Sequence, residues 1–124
     1  MSNAARVLIV EDERLVARGL ERQLGRLGYV VVALASTGME AIQQALEHRP
    51  DLILMDIRLR GKIDGIEAAA AIRKDLNVHI AYMSAYMDEA TLARARGTEP
   101  DAFLHKPLNQ SSLLEMLQQL PPLS

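Results

Sequence analysis

The chain alternates short, wholly apolar runs with longer segments in which apolar residues recur every three or four positions. The runs Val7-Leu8-Ile9-Val10, Tyr29 to Ala35, Leu52 to Asp56, Val78 to Met83 and Ala102-Phe103-Leu104 are short and rich in β-branched residues, and they predict five strands. Leu52-Ile53-Leu54-Met55 is apolar at every position, as in a strand buried on both faces, and it ends in Asp56. Between the runs lie five helical segments. From Glu13 to about Leu27, Leu15, Val16, Leu20, Leu24 and Leu27 predict one buried face, closed by Gly28. A second helix starts at Ser36 or Thr37, with Glu40 placed for a capping box, carries Ala41, Ile42, Ala45 and Leu46, and ends before Pro50. The alanine-rich stretch from Ile66 to near Asn77 predicts a third, and Asp88 to about Arg96 a fourth. Leu92 is the only large aliphatic of that fourth helix, so it is expected to be the least firmly held. A fifth runs from Asn109 to Leu120, capped by Asn109 or Ser111, with Leu113, Leu114, Leu117 and Leu120 on one side and Pro121-Pro122 as its stop.

Strict alternation of strand and helix predicts a parallel sheet covered on both faces by right-handed crossovers. With 124 residues, 49% of them hydrophobic, the chain suits one domain around one core. A net charge of −2 and a pI near 5.9 argue against a nucleic-acid footprint. The absence of cysteine excludes disulfides, a thiol nucleophile and a zinc-thiolate site. No apolar run approaches the ~20 residues of a membrane span, which points to a soluble cytoplasmic protein. Aromatics are few, so a base-stacking platform is not expected. His48, His79 and His105 lack metal-ligand spacing and read as surface or strand-edge residues.

A parallel arrangement brings every strand's carboxyl end to one edge, where ligands bind in open α/β sheets. Glu11 and Asp12 end the first strand and Asp56 the third. Ser84 ends the fourth, and the fifth runs into Lys106. Alone, each reads as a turn, a helix start or a surface charge; four strand ends together read as a site. Three carboxylates within ~5 Å would repel by roughly 3 kcal/mol per pair at an effective dielectric near 20, so the cluster calls for a cation. Oxygen ligands without histidine or cysteine favour a hard ion, and Mg²⁺ suits them. A cation, a lysine and a hydroxyl around one carboxylate make a seat for a phosphoryl group, with Asp56 as nucleophile.

The pattern strongly resembles the receiver domain of two-component response regulators. The matching elements are the acidic pair in Val10-Glu11-Asp12-Glu13, the acceptor in Leu54-Met55-Asp56, the hydroxyl in Met83-Ser84-Ala85, and Lys106-Pro107. Phe103 falls on the family's switch aromatic. The resemblance covers residues 6 to about 120, which leaves 1–5 as an N-terminal tail and 121–124 as a C-terminal tail or the start of a linker. It implies a flavodoxin-like (βα)5 three-layer sandwich whose doubly wound sheet has the order 2-1-3-4-5. Asp56 would accept a phosphoryl group from a histidine kinase or phosphotransfer protein. Asp12, Asp56 and the backbone carbonyl of Arg58 would bind Mg²⁺, with Glu11 acting through a water. Lys106 would pair with the phosphoryl oxygens across a cis Lys106-Pro107 bond. Ser84 would swing toward the phosphoryl group and let Phe103 move inward, which would change partner binding on the face of the fourth helix, fifth strand and fifth helix, a possible homodimer surface.

Two features depart from the family pattern. The loop after Asp56 takes one residue more than usual to reach Gly65, and it carries Arg60 where proline is frequent. Arg58 and Tyr86 are bulky and placed to screen a phosphoryl group from water, which predicts slow self-dephosphorylation. Competing functions are an aspartyl-phosphate-forming phosphatase, which wants Asp-x-Asp at the first strand where Glu11-Asp12-Glu13 is out of register, and a scaffold receiver that is never phosphorylated. A nucleotide-binding enzyme is weaker still, since no glycine-rich phosphate loop occurs. The expected role is a signalling module that catalyses only its own phosphorylation and dephosphorylation.

Overall fold

The computed structural model describes residues 5–120, so the Pro121-Pro122 stop and nearly all of both tails lie outside the described residues. Each predicted strand forms: β1 Arg6–Val10, β2 Val30–Ala35, β3 Leu52–Asp56, β4 His79–Ser84 and β5 Ala102–His105. Each is followed by a helix: α1 Arg14–Arg26, α2 Gly38–His48, α3 Gly65–Arg73, α4 Glu89–Arg96 and α5 Gln110–Gln119. All strand pairings are parallel and the order is β2-β1-β3-β4-β5, the flavodoxin-like arrangement.

Period-two alternation sends neighbouring strand residues to opposite faces, which divides the core in two. Leu8, Val10, Ile53, Met55, Ile80 and Tyr82 pack against α2, α3 and α4. Val7, Ile9, Leu52, Leu54, Ala81 and Met83 pack against α1 and α5. All five residues of β3 are buried, which fits its continuous apolar run. The helices on the first face carry small residues there, Ala41, Ala45, Ala68, Ala69 and Ala95, and this lets them lie close to the β-branched sheet.

Several boundaries differ from expectation for local reasons. Leu15 is 87% exposed. At 3.6 residues per turn it lies roughly 170° round the helix from the stripe that α1 buries, and that stripe is built on Ala17, Leu20 and Leu24. The third helix stops at Arg73, where the turn tightens: Lys74 N and Asp75 N bond three residues back, to Ala71 O and Ile72 O, and Leu76 is buried just beyond. Among the alternatives for caps, Thr37 accepts from Glu40 N (3.1 Å) while Glu40 returns to Ser36 N (2.7 Å), and Asn109 accepts from Ser112 N (2.8 Å). Gly28 adopts φ +91, the left-handed position expected just past a helix end. His79 is buried rather than superficial, its Nδ1 lying 3.1 Å from Asp101 Oδ1. As the composition of α4 suggested, Ala95 is its one buried residue.

Candidate functional site

Strand register sets the site. Val10 pairs with Met55, Asp56 with Met83, and Ser84 with His105, so Glu11, Asp12, Asp56, Ser84 and Lys106 reach the same sheet edge within a residue of one another. Backbone hydrogen bonds continue past the strands: Glu11 N donates to Ala35 O (2.9 Å), Ile57 N to Met83 O (3.1 Å) and Lys106 N to Ser84 O (2.9 Å). The Lys106–Pro107 peptide bond is cis. The loop after Asp56 closes tightly. Gly65 N donates to Ile57 O (2.8 Å), and a Cβ at Gly65 would lie 2.1 Å from Asp56 O, so only glycine fits without a backbone shift.

Lys106 Nζ lies 2.6 Å from Glu11 Oε1 and 3.2 Å from Asp56 Oδ2. The second oxygen of each carboxylate takes a backbone donor: Glu13 N reaches Glu11 Oε2 (3.1 Å) and Arg58 N reaches Asp56 Oδ1 (3.2 Å). Asp12 is half-buried and faces Arg60 Nε at 3.7 Å, on the rim. One oxygen from each of Glu11, Asp12 and Asp56 falls within 4.8 Å of the others.

These distances set the electrostatics. Burial, with the Glu11 charge next, pushes the Asp56 carboxyl up to about 7, and Lys106 only partly opposes them. Burial also works against ionised Glu11, but the hydrogen bond from Lys106 and the donor from Glu13 outweigh it and hold its pKa below the usual carboxylate value. Lys106 is likewise desolvated, yet its two carboxylate partners raise its pKa. One lysine thus serves two buried carboxylates while a third stands beside them. An all-oxygen donor set with surplus negative charge fits a hard divalent cation, and Mg²⁺, which accepts one or two carboxylates and keeps waters, matches it.

Ser84 and Phe103 make their contacts outside this cluster. The Ser84 hydroxyl donates to Tyr86 O (2.7 Å) and accepts from Tyr86 N (3.2 Å), closing a small turn at the start of the loop to α4. Phe103 is 36% exposed and its ring centroid is 5.9 Å from that of Tyr82. The Arg58 guanidinium sits 5.6 Å over the Tyr86 ring, joining the two loops that flank Asp56. No pattern in the sequence announces the partner of Asp64, the Arg60–Asp12 contact or the Arg73 clamp. Arg73 donates to Thr98 O, Val78 O and Glu99 O, which are distant in sequence or carry no side-chain signal. The capping box of Asp64 and Glu67 was legible in the spacing Asp-Gly-Ile-Glu.

The fold and site define a small α/β module, a doubly wound parallel sheet that gathers an acidic cluster and a lysine at its carboxyl edge, where ligands bind in open α/β sheets. Residues 7–118 match the Response regulator receiver domain, and the chain belongs to that family. It is 36% identical over 113 residues to the transcriptional regulatory protein PdtaR of Mycobacterium tuberculosis, a match covering 91% of this chain and 55% of the relative. It is 35% identical over 117 residues to the phyllosphere-induced regulator PhyR of Methylorubrum extorquens, covering 94% of this chain and 43% of the relative. The chain spans about half the length of the curated relatives it matches. Among solved structures, the signal receiver domain of a modulated diguanylate cyclase from Desulfovibrio desulfuricans G20 gives a TM-score of 0.88 at 38% identity, covering 94% of this chain and 92% of that one. The response regulator domain of Thermotoga maritima CheB gives 0.85 at 28% identity, covering 97% and 100%.

Proposed function

We propose that Asp56 is the phosphoacceptor of a two-component signalling module formed by residues 6–120. The observation that carries this reading is the meeting of Glu11, Asp12 and Asp56 oxygens within 4.8 Å, with Lys106 bonded to two of the three residues. Asp12, Asp56 and the backbone carbonyl of Arg58 would hold Mg²⁺, with Glu11 contributing through a water. The ion would supply charge neutralisation and polarise phosphoryl oxygens. Ionised Asp56 attacks the phosphorus of a phosphohistidine on a histidine kinase or phosphotransfer protein. A P–O bond forms as the P–N bond breaks, and its electron pair leaves with the donor imidazole. Lys106 exchanges its Asp56 oxygen for a phosphoryl oxygen. Ser84 leaves Tyr86 to meet the phosphoryl group, and Phe103 turns inward, altering the face of α4, β5 and α5 where a partner or second copy docks.

No helix among the described residues is long and apolar enough to cross a membrane. The module would work in the cytoplasm, where a histidine kinase or phosphotransfer protein presents its phosphohistidine. The acidic pI of 5.9 supports signalling through protein contacts, with no direct nucleic-acid binding by these residues. Chemistry is confined to the module's own phosphorylation and dephosphorylation.

Incubation with acetyl phosphate, with and without Mg²⁺, followed by intact mass tests this reading. The wild type gains one phosphoryl group only when Mg²⁺ is present, and Asp56→Asn gains none. A folded wild type that gains nothing refutes the proposal.

A further inference from the structure

The Asp64 carboxylate does two things, one with each oxygen. Oδ1 accepts from Glu67 N at 2.8 Å, capping α3, while Oδ2 takes Arg94 Nη2 of α4 at 2.9 Å. Two observations give this second bond weight. First, Asp64 is rigidly linked to the acidic site. Its neighbour Gly65 bonds to Ile57 O and leaves no room for a Cβ against Asp56 O, so a displacement of the loop at Asp56 is felt at Asp64. Second, α4 has little else to hold it, since Ala95 is its one buried residue and the Asp64 bond is the ion pair that joins it to another element among the described residues. Immediately after α4 the chain is fixed, with Thr98 Oγ1 2.6 Å from the Tyr82 hydroxyl and Thr98 O and Glu99 O held by Arg73. The helix is therefore hinged at its carboxyl end and tied near that end to the loop leaving Asp56. At its other end, Arg58 over Tyr86 bridges the same two loops.

We propose that Asp64 is a positioning residue which couples α4 to the acidic site, so that the state of Asp56 and the placement of α4 bias one another through the Asp64–Arg94 pair. This rests on Asp56 being the phosphoacceptor. The pair holds α4 in the place described here and so opposes its movement on phosphorylation. Coupling is reciprocal, so a partner that draws Arg94 away from Asp64 favours the phosphorylated form. The route is separate from the Ser84 hydroxyl, which contacts neither residue of the pair.

Asp64→Asn separates the two tasks, because asparagine caps as well as aspartate but carries no charge. Arg94→Gln removes the pair from the other side. Two readouts are taken on the full chain: amide hydrogen exchange across α3 and α4, and the affinity for beryllofluoride with Mg²⁺ as a phosphoryl mimic. An exposed pair of this kind predicts changes of about two- to five-fold. Each variant should lose that much protection in α4, keep α3 protection, and bind beryllofluoride tighter by a similar factor. The double variant should go no further than either single one. Faster α4 exchange with unchanged beryllofluoride affinity makes the pair a mere staple and overturns the proposal, as do unchanged exchange or additive effects. Wild type that binds no beryllofluoride overturns the phosphoacceptor reading and this inference with it, whereas wild type that binds while the variants match it overturns the coupling alone.

Discussion

Asp56→Asn should make the metal-free protein more stable, and increasingly so as the pH rises. The substitution keeps the shape of the side chain and an oxygen for Arg58 N, but removes a buried charge that faces Glu11. The Asp56 carboxyl titrates at about 7 in the fold against an ordinary value of 3.8. A carboxyl whose pKa is raised on folding helps the fold while protonated and opposes it once ionised. The native state keeps its proton between these two values and the unfolded chain has lost it, so stability falls as pH rises from about 4 to about 7 and then levels off. At about 1.4 kcal/mol per unit, the wild type gives up roughly 2 kcal/mol by pH 5 and roughly 4 by pH 8. Asn has no such titration. The amide facing Lys106 adds an offset that does not change with pH, so the useful quantity is the change in the difference between variant and wild type. Urea unfolding in EDTA at pH 5, 6, 7 and 8 should show that difference growing by about 2–3 kcal/mol, most of it below pH 7. A difference that stays flat across this range would mean that Asp56 is not held protonated by its surroundings. Mg²⁺ should reverse the ranking, since an ion bound by Asp56 stabilises the wild type in proportion to its occupancy and the variant much less.

Other substitutions probe the rest of the site. Lys106→Met leaves Glu11 and Asp56 without their shared cation and should cost about 3 kcal/mol at pH 8 and less at pH 5, where Asp56 keeps its proton and Glu11 is the one carboxylate left charged without its partner; urea midpoints at the two pH values check this. Gly65→Ala should destabilise by about 2 kcal/mol or more because its Cβ meets Asp56 O, whereas Gly19→Ala, which meets nothing within 4 Å in mid-helix, should stabilise by about 0.5–1 kcal/mol. Arg58→Ala and Tyr86→Ala remove the stack across the mouth of the site, and each should shorten the half-life of the phosphorylated form followed by radiolabel loss. If neither does, the stack does not screen the acyl phosphate from water.

The fold was legible because its signals are local and repeated. A continuous apolar run such as Leu52 to Met55 has few other readings once it alternates with helical segments, and parallel strands then force Glu11, Asp12, Asp56, Ser84 and Lys106 to one edge. The sequence also carried the Thr37 and Asn109 caps, whose bonds span three residues. Its signal failed where side chains act at a distance. Leu15 looks like part of the face of α1, yet it falls on the far side of the helix from Leu20 and Leu24, and Ala17, a residue too small to draw notice, completes the buried stripe in its place. His79 and Asp101 are separated by 22 positions and meet because β4 and β5 are neighbours. Asp64 advertises its cap through Glu67 but gives no hint of Arg94, 30 residues away. The orientation of Ser84 toward Tyr86 depends on a single side-chain rotation, which a motif cannot encode.

The phosphoacceptor role of Asp56 is tested most directly by finding which side chain carries the phosphoryl group. Borohydride reduces an aspartyl phosphate to homoserine, so treating the acetyl phosphate-labelled protein and mapping its peptides reads the acceptor directly. Homoserine is expected at position 56 in the Mg²⁺-containing sample and nowhere else; reduction at Asp12, or a stable label on a serine or histidine with position 56 intact, would rule Asp56 out as the acceptor.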